Sequence, residues 1–195
     1  TLGWRFINPK LKELYGVDSM PQTAVNVAEQ FNINRAGQDQ FALNSQQRTA
    51  AAQAQGFFQN EIVPVSIPQR KGDAVLVDTD EHPRASTTLA ALTKLKGVVK
   101  ADGTVTAGNA SGINDGAAAL LIASDEAVEK YQLKPRGKII AATTVGVEPR
   151  IMGFAPAPAI KKLLKQADLS LAQMDVIELN EAFAAQALAV TRDLG

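Results

Sequence analysis

Asp175-Val176-Ile177-Glu178-Leu179-Asn180-Glu181-Ala182-Phe183-Ala184-Ala185-Gln186-Ala187 is the stretch whose reading decides the fold. Val176, Ile177 and Leu179 form a short apolar run suited to a buried parallel strand. From Ala182 to Val190 the chain turns to strong helix formers, with Phe183, Ala187 and Val190 at helical spacing. Asn180 and Glu181 stand at the changeover. Asparagine is a favoured helix N-cap, and an acidic residue in the first turn suits the helix dipole. One reading is a capped helix after a core strand. The other is a ligand site, because open α/β sheets bind ligands beyond the carboxyl ends of their strands. An amide placed there holds a water or an oxyanion, and the small Ala182 lets a ligand approach the backbone.

A second block, Gly103-Thr104-Val105-Thr106-Ala107-Gly108-Asn109-Ala110-Ser111-Gly112-Ile113-Asn114-Asp115-Gly116-Ala117-Ala118-Ala119, is rich in small residues that let a long, thin ligand lie against backbone. No Gly-Lys-Ser/Thr ends it, so it is not a Walker loop, and its glycine spacing does not match a dinucleotide fingerprint. Together the two blocks resemble the thiolase family. Asn-Glu-Ala-Phe-Ala after an apolar strand is similar to the motif that supplies a thiolase's active-site asparagine, and the Gly103 block to the segment that lies along coenzyme A. The resemblance runs over essentially the whole chain. Its nearest branch is the 3-oxoadipyl-CoA (β-ketoadipyl-CoA) thiolases of bacterial aromatic degradation, which Gly3-Trp4-Arg5-Phe6-Ile7-Asn8-Pro9 and Asp18-Ser19-Met20-Pro21 favour.

Composition sets the remaining bounds. The chain has 195 residues, enough for one large domain or two small ones, with 46% hydrophobic and 21% charged residues, as in an ordinary globular protein. Zero net charge gives no global electrostatic case for nucleic acid or an anionic membrane. No apolar run approaches the ~20 residues that span a bilayer, and no leader is visible before Trp4, so a cytoplasmic location is expected. Neither end reads as natural: position 1 is not Met, and the chain stops at Asp193-Leu194-Gly195 in or just past a helix. Cysteine is absent. That bears on the resemblance, because thiolases carry the acyl group on one cysteine and use a second as acid/base, with a histidine orienting the chemistry. The resemblance implies a central piece, about half of a thiolase, with the nucleophile upstream of Thr1 and the histidine and second cysteine downstream of Gly195.

The local patterns fill in the elements. Pro9–Tyr15 is a short amphipathic segment, Thr23–Phe31 a helix, and Asn34 the cap of another helix that ends before Gly56. Its Gln46–Gln55 face reads as solvated. Glu61–Ile67 reads as a strand, at an edge because Pro64 cannot donate to a ladder, and Ala74–Val77 as a second. The acidic loop around Asp78, Asp80 and Glu81 lacks a calcium-loop pattern. His82, the single histidine, has no nucleophile nearby in sequence and reads as a loop residue. Thr87–Lys96 is a helix carrying Leu89, Leu92 and Leu95. From Thr104 onward strands alternate with helices: Ala117–Ala123 and Asp125–Tyr131, Lys138–Val147 and Pro158–Gln166, Val176–Leu179 and Ala182–Leu194. Apolar strands alternating with helices mean a covered, mixed or parallel sheet.

The expected fold class is therefore α/β, a fragment of the layered α/β/α/β/α thiolase-like fold with a mixed sheet and a helix-rich inserted loop domain. The resemblance places that loop domain at 1–103, the end of an N-terminal thiolase domain at 104–136 and the start of a C-terminal one at 137–195. It implies that the parent thiolytically cleaves a 3-oxoacyl-CoA, with coenzyme A as substrate, no covalently bound cofactor and no metal. Asn180 would hold a water against the developing oxyanion and Glu181 would support the turn. Arg84 and Leu95 would meet the nucleotide, and Ala107, Ser111 and Gly112 the pantetheine. Met20, Met152, Ala182 and Phe183 would line the inner end of the channel. Its partners would be acyl-CoA, CoA and further copies in a homodimer or homotetramer. The competing readings are a non-catalytic CoA-binding or interaction module and a thiolase-like lipid-transfer protein.

Overall fold

The computed structural model describes residues 4–195; Thr1, Leu2 and Gly3, the last belonging to the Gly3–Pro9 block, lie outside the described residues. Seven helices are seen in this range: α1 Pro9–Tyr15, α2 Met20–Gln30, α3 Arg35–Ala54, α4 Leu89–Thr93, α5 Asp125–Lys130, α6 Pro156–Ala167 and α7 Ala184–Leu194. Short 3₁₀ segments run over Pro149–Phe154, kinked at Ile151, and over Leu171–Gln173. The helix starts follow sequence chemistry. Asn8, Ser19, Asn34, Thr88 and Ser124 each accept a backbone N–H of the first turn of α1 to α5. Proline stands at the start of α1, α2 and α6, where a missing N–H costs nothing.

The core is small and built from small side chains. Val27 and Ala28 of α2, Ile33, Val105, Ile151 and Ala185 and Ala189 of α7 are buried against one another. Alanines let α2 and α7 approach closely, and Phe31 stacks on Phe154 at the edge, ring centroids 4.1 Å apart. Complete burial of a side chain the size of Val27 or Val190 contributes about 1.5–3 kcal/mol.

A polar knot lies beneath α3. Asp39 is fully buried. It accepts Arg35 Nε at 2.7 Å and Asn109 Nδ2 at 2.9 Å. Arg35 Nη2 continues to the carbonyls of Leu92 and Leu95, at 2.6 and 3.0 Å, while Asn109 Oδ1 accepts the Thr106 N–H at 2.8 Å. One carboxylate thus fixes α4 and the Thr104–Ser111 loop on α3.

The strands depart from expectation. Among the described residues the ladder is a two-stranded antiparallel hairpin, β1 Val65–Ile67 with β2 Val75–Val77, Ser66 opposite Leu76. β1 starts after Pro64, whose missing N–H ends the run on that side. Thr106 makes only an isolated bridge to Gly97. Ala117–Ala123, Lys138–Val147 and Val176–Leu179 carry no strand pairing, and most of their apolar side chains are exposed: Leu121 is 90% accessible and Val176 76%. The physical reason is that an apolar run favours burial but supplies no partner, and a strand exists only through a ladder. From Ala141 to Glu148 half-buried and exposed residues still alternate. The N-terminal boundary of the last helix is also corrected. Phe183, not Asn180, is the N-cap of α7, and it gives no side-chain cap. Asn180 and Glu181 stay in the loop before it. α4 is shorter than expected, with Leu92 buried and Leu89 and Leu95 partly open.

Two outcomes follow. Hydrogen exchange followed by mass spectrometry will show 117–123 and 138–147 exchanging much faster than α2 and α7, because their amides lack ladder partners. Asp39→Ala, which leaves the Asn109 amide and the Arg35 guanidinium without their acceptor, will cost about 2–4 kcal/mol in urea unfolding.

Candidate functional site

The two sequence blocks meet. Ala110 and Phe183 form an antiparallel bridge. The Ser111 N–H donates to the Ala182 carbonyl and the Ala184 N–H to the Asn109 carbonyl, both at 2.9 Å. The small side chains of Ala110, Ala182 and Ala184 permit this approach. Because Asn109 is tied to Asp39, the bridge also fixes the loop of Asn180 relative to α3.

A cavity opens on each side of this junction. The first, of about 290 Å³, is lined by Ser45 and Gln46 of α3, by His82, and by Ser111, Asn180 and Glu181. The second, of about 210 Å³, is lined by Met20, Met152, Leu179, Asn180, Ala182 and Phe183, with Gln186 behind them. Asn180 belongs to both walls. The first cavity mixes polar and apolar walls. Ser45 Oγ donates to Glu181 Oε2 at 2.7 Å, fastening the Asn180 loop to α3 from the far side. The second is apolar, and no charged side chain lines it.

The structure thus brings Asn180, Glu181 and Ser111 to one cavity and Met20, Met152, Ala182, Phe183 and again Asn180 to the other. Gly112 sits at the edge of the first, against the His82 ring. Arg84, Leu95 and Ala107 line neither cavity. Arg84 is exposed; its backbone N–H is held by Gln46 Oε1 at 2.7 Å, which keeps it one residue beyond the cavity-lining Pro83. Leu95 lies two residues past α4, its carbonyl bound by Arg35. Ala107 is exposed beside Gly108.

Three participants escaped the sequence reading. Ser45 and Gln46 lie on a glutamine-rich helix face that looks solvated in one dimension. His82 sits in a loop with no local signal. Its only trace is in the other block, where glycine at 112 leaves room for its ring. Chemically, the site offers hydrogen-bond donors and acceptors beside an apolar slot. Among the described residues there is no cluster of three metal-ligating side chains, and the sequence holds no cysteine.

Comparison with known proteins gives a consistent result. The family model described as thiolase, N-terminal domain, matches residues 5–126, and that described as thiolase, C-terminal domain, matches residues 133–195. The chain is 81% identical over all 195 residues to a β-ketoadipyl-CoA thiolase of Acinetobacter baylyi, covering 49% of that protein. A Bacillus anthracis acetyl-CoA acetyltransferase superposes with a TM-score of 0.85 at 42% identity, over 97% of this chain and 50% of that one. Human mitochondrial 3-ketoacyl-CoA thiolase in complex with CoA superposes with a TM-score of 0.81 at 48% identity, over 90% and 43%. The chain spans about half the length of the curated relatives it matches.

Gly112→Ala tests the packing at the edge of the first cavity. An added Cβ would stand 2.5 Å from His82 Cε1, so the ring must move. As the chain has a single histidine, its Hε1 resonance is unique, and it will shift in the variant.

Proposed function

The chain belongs to the thiolase family, and we propose that it is the coenzyme A–facing part of an acyltransferase that thiolytically cleaves a 3-oxoacyl-CoA, with 3-oxoadipyl-CoA as the substrate. The observation that carries this reading is the junction of the two blocks, which puts Asn180 at the mouth of a charge-free slot, beside Ser111. The name shared by the relatives supports the choice of acyl chain.

In this reading the apolar slot takes the pantetheine arm and thioester. Methionines at 20 and 152 adapt to such an arm, being unbranched and polarizable. Ser111, on the first-cavity side of the junction, offers a hydroxyl to an amide of the arm where it leaves the slot, and Arg84, exposed beyond Pro83, a guanidinium to the nucleotide phosphates. Asn180 supplies a donor, directly or through a water, where negative charge gathers on the thioester or keto oxygen. A preorganised donor of this kind is often worth about 3 kcal/mol in the transition state. Glu181 acts through position: as acceptor for Ser45 it holds the loop that carries Asn180. The covalent step needs a thiolate, which this sequence does not contain. That step belongs to the remainder of a full-length thiolase, in which 1–103 is the inserted loop domain, 104–136 the end of the N-terminal domain and 137–195 the start of the C-terminal one. The same remainder pairs and covers the open apolar segments around Leu121, Ile140 and Val176. The full-length enzyme works as a homodimer or homotetramer in the cytoplasm. No helix among the described residues is long and apolar enough to cross a membrane.

A single-turnover assay of the chain with 3-oxoadipyl-CoA and CoA will release no acetyl-CoA; release would overturn this division of labour. In a chain extended to the relatives' full length, Asn180→Ala will lower kcat by about 100-fold with a smaller change in KM. Equal kcat values would remove Asn180 from the chemistry.

A further inference from the structure

The inner wall of the apolar slot holds a polar group that the fold leaves unused. Gln186, in the first turn of α7, is 4% exposed. Its side-chain carbonyl Oε1 is buried and has no hydrogen-bond partner among the described residues. Buried polar atoms are nearly always paired, so an orphan asks for a donor from outside the fold. One other buried oxygen shares this condition, on Gln38, but that residue lines neither cavity and its Nε2 is already bound to the Ile33 carbonyl.

The surroundings are shaped to admit Gln186. A Cβ at position 153 would stand 3.1 Å from its Cγ and 3.3 Å from its Cβ, so a larger residue there would push the side chain by a few tenths of an ångström. The other polar side chains of the slot are two. Thr23 is committed, its hydroxyl donating to the Met20 carbonyl at 2.7 Å. Asn180 stands at the exposed end. The slot therefore presents an amide at its mouth, an apolar wall, and a second amide at its buried side. No charged group accompanies either, so a charged occupant finds no counter-charge there.

We infer that Gln186 is a ligand-positioning residue of this slot, its carbonyl accepting a hydrogen bond from the N–H of a secondary amide in the occupant. The inference rests on the proposed function, which places pantetheine in the slot. Pantetheine is a neutral chain of apolar segments interrupted by secondary amides, and its pattern matches the wall. Binding requires the glutamine side chain to turn Oε1 toward the occupant, and it then satisfies an acceptor that the fold leaves unpaired.

Gln186→Met tests this, since it keeps the length of the side chain and removes the orphan. Without ligand, its thermal midpoint will equal or exceed that of the parent chain, because a buried unpaired acceptor is gone. In calorimetric titration its dissociation constant for pantetheine will rise about tenfold, the worth of one hydrogen bond. Its affinity for 3′-phosphoadenosine 5′-diphosphate, which has no such amide, will stay the same. A lower midpoint would mean that the amide serves the fold, and would overturn the inference. Unchanged pantetheine affinity would overturn it too, leaving the thiolase reading intact. So would a parent chain that binds the nucleotide probe and not pantetheine. A parent chain that binds neither probe would overturn both readings together.

Discussion

The fully buried carboxylate of Asp39 is the constraint on which the site depends. A charge without water must be met by donors, and here Arg35 and Asn109 meet it from two directions. Arg35 extends the connection to the end of α4, and Asn109 extends it to the loop that pairs with Phe183. Three chain segments far apart in sequence are thereby set in one register. Neither the Gly103 block nor the Asn180 block has hydrophobic bulk enough to hold itself in place. Their small side chains are what let backbone meet backbone, and the polar knot gives the fixity that large side chains would otherwise supply.

The helices were legible because a helix satisfies its own backbone and announces its ends locally. Asn34 and Ser124 cap α3 and α5 as their chemistry suggests, while Ser19 starts α2 three residues before the expected Thr23. The strands were less so. Val65–Ile67 and Val75–Val77 pair because a short turn brings them together, whereas Leu120–Ile122 and Ile139–Ile140 have the composition of core strands and lie exposed. Composition states what a segment would gain by burial, not whether a partner is present. Asn180 misled for a related reason: a capping residue type does not cap unless the helix begins next to it, and α7 begins four residues later.

The site was legible in its residues and not in its arrangement. The small-residue pattern around Ser111 and the changeover at Asn180 are both visible in one dimension; that they touch is not. The roles of Asp39 and Asn109 were hidden for the same reason. Arg35 and Asp39 stand four apart, a spacing that ordinarily marks a solvated surface pair, and nothing local tells that the carboxylate of this one is sealed from water. Glycine carries the faintest signal. The residue at 112 is small because of an imidazole thirty positions earlier, which only coordinates reveal.

The bridge between Ala110 and Phe183 has one more consequence. It ties the segment matched by the N-terminal family model to that matched by the C-terminal one, and α2 lies against α7 across the same divide. The covalent connection between them, 127–132, is exposed apart from the half-buried Ala127 and Val128 of α5. Backbone continuity there is thus separable from the association of the two parts. The molecule has the makings of a complementation system, in which two separately made polypeptides recover the native arrangement by finding each other.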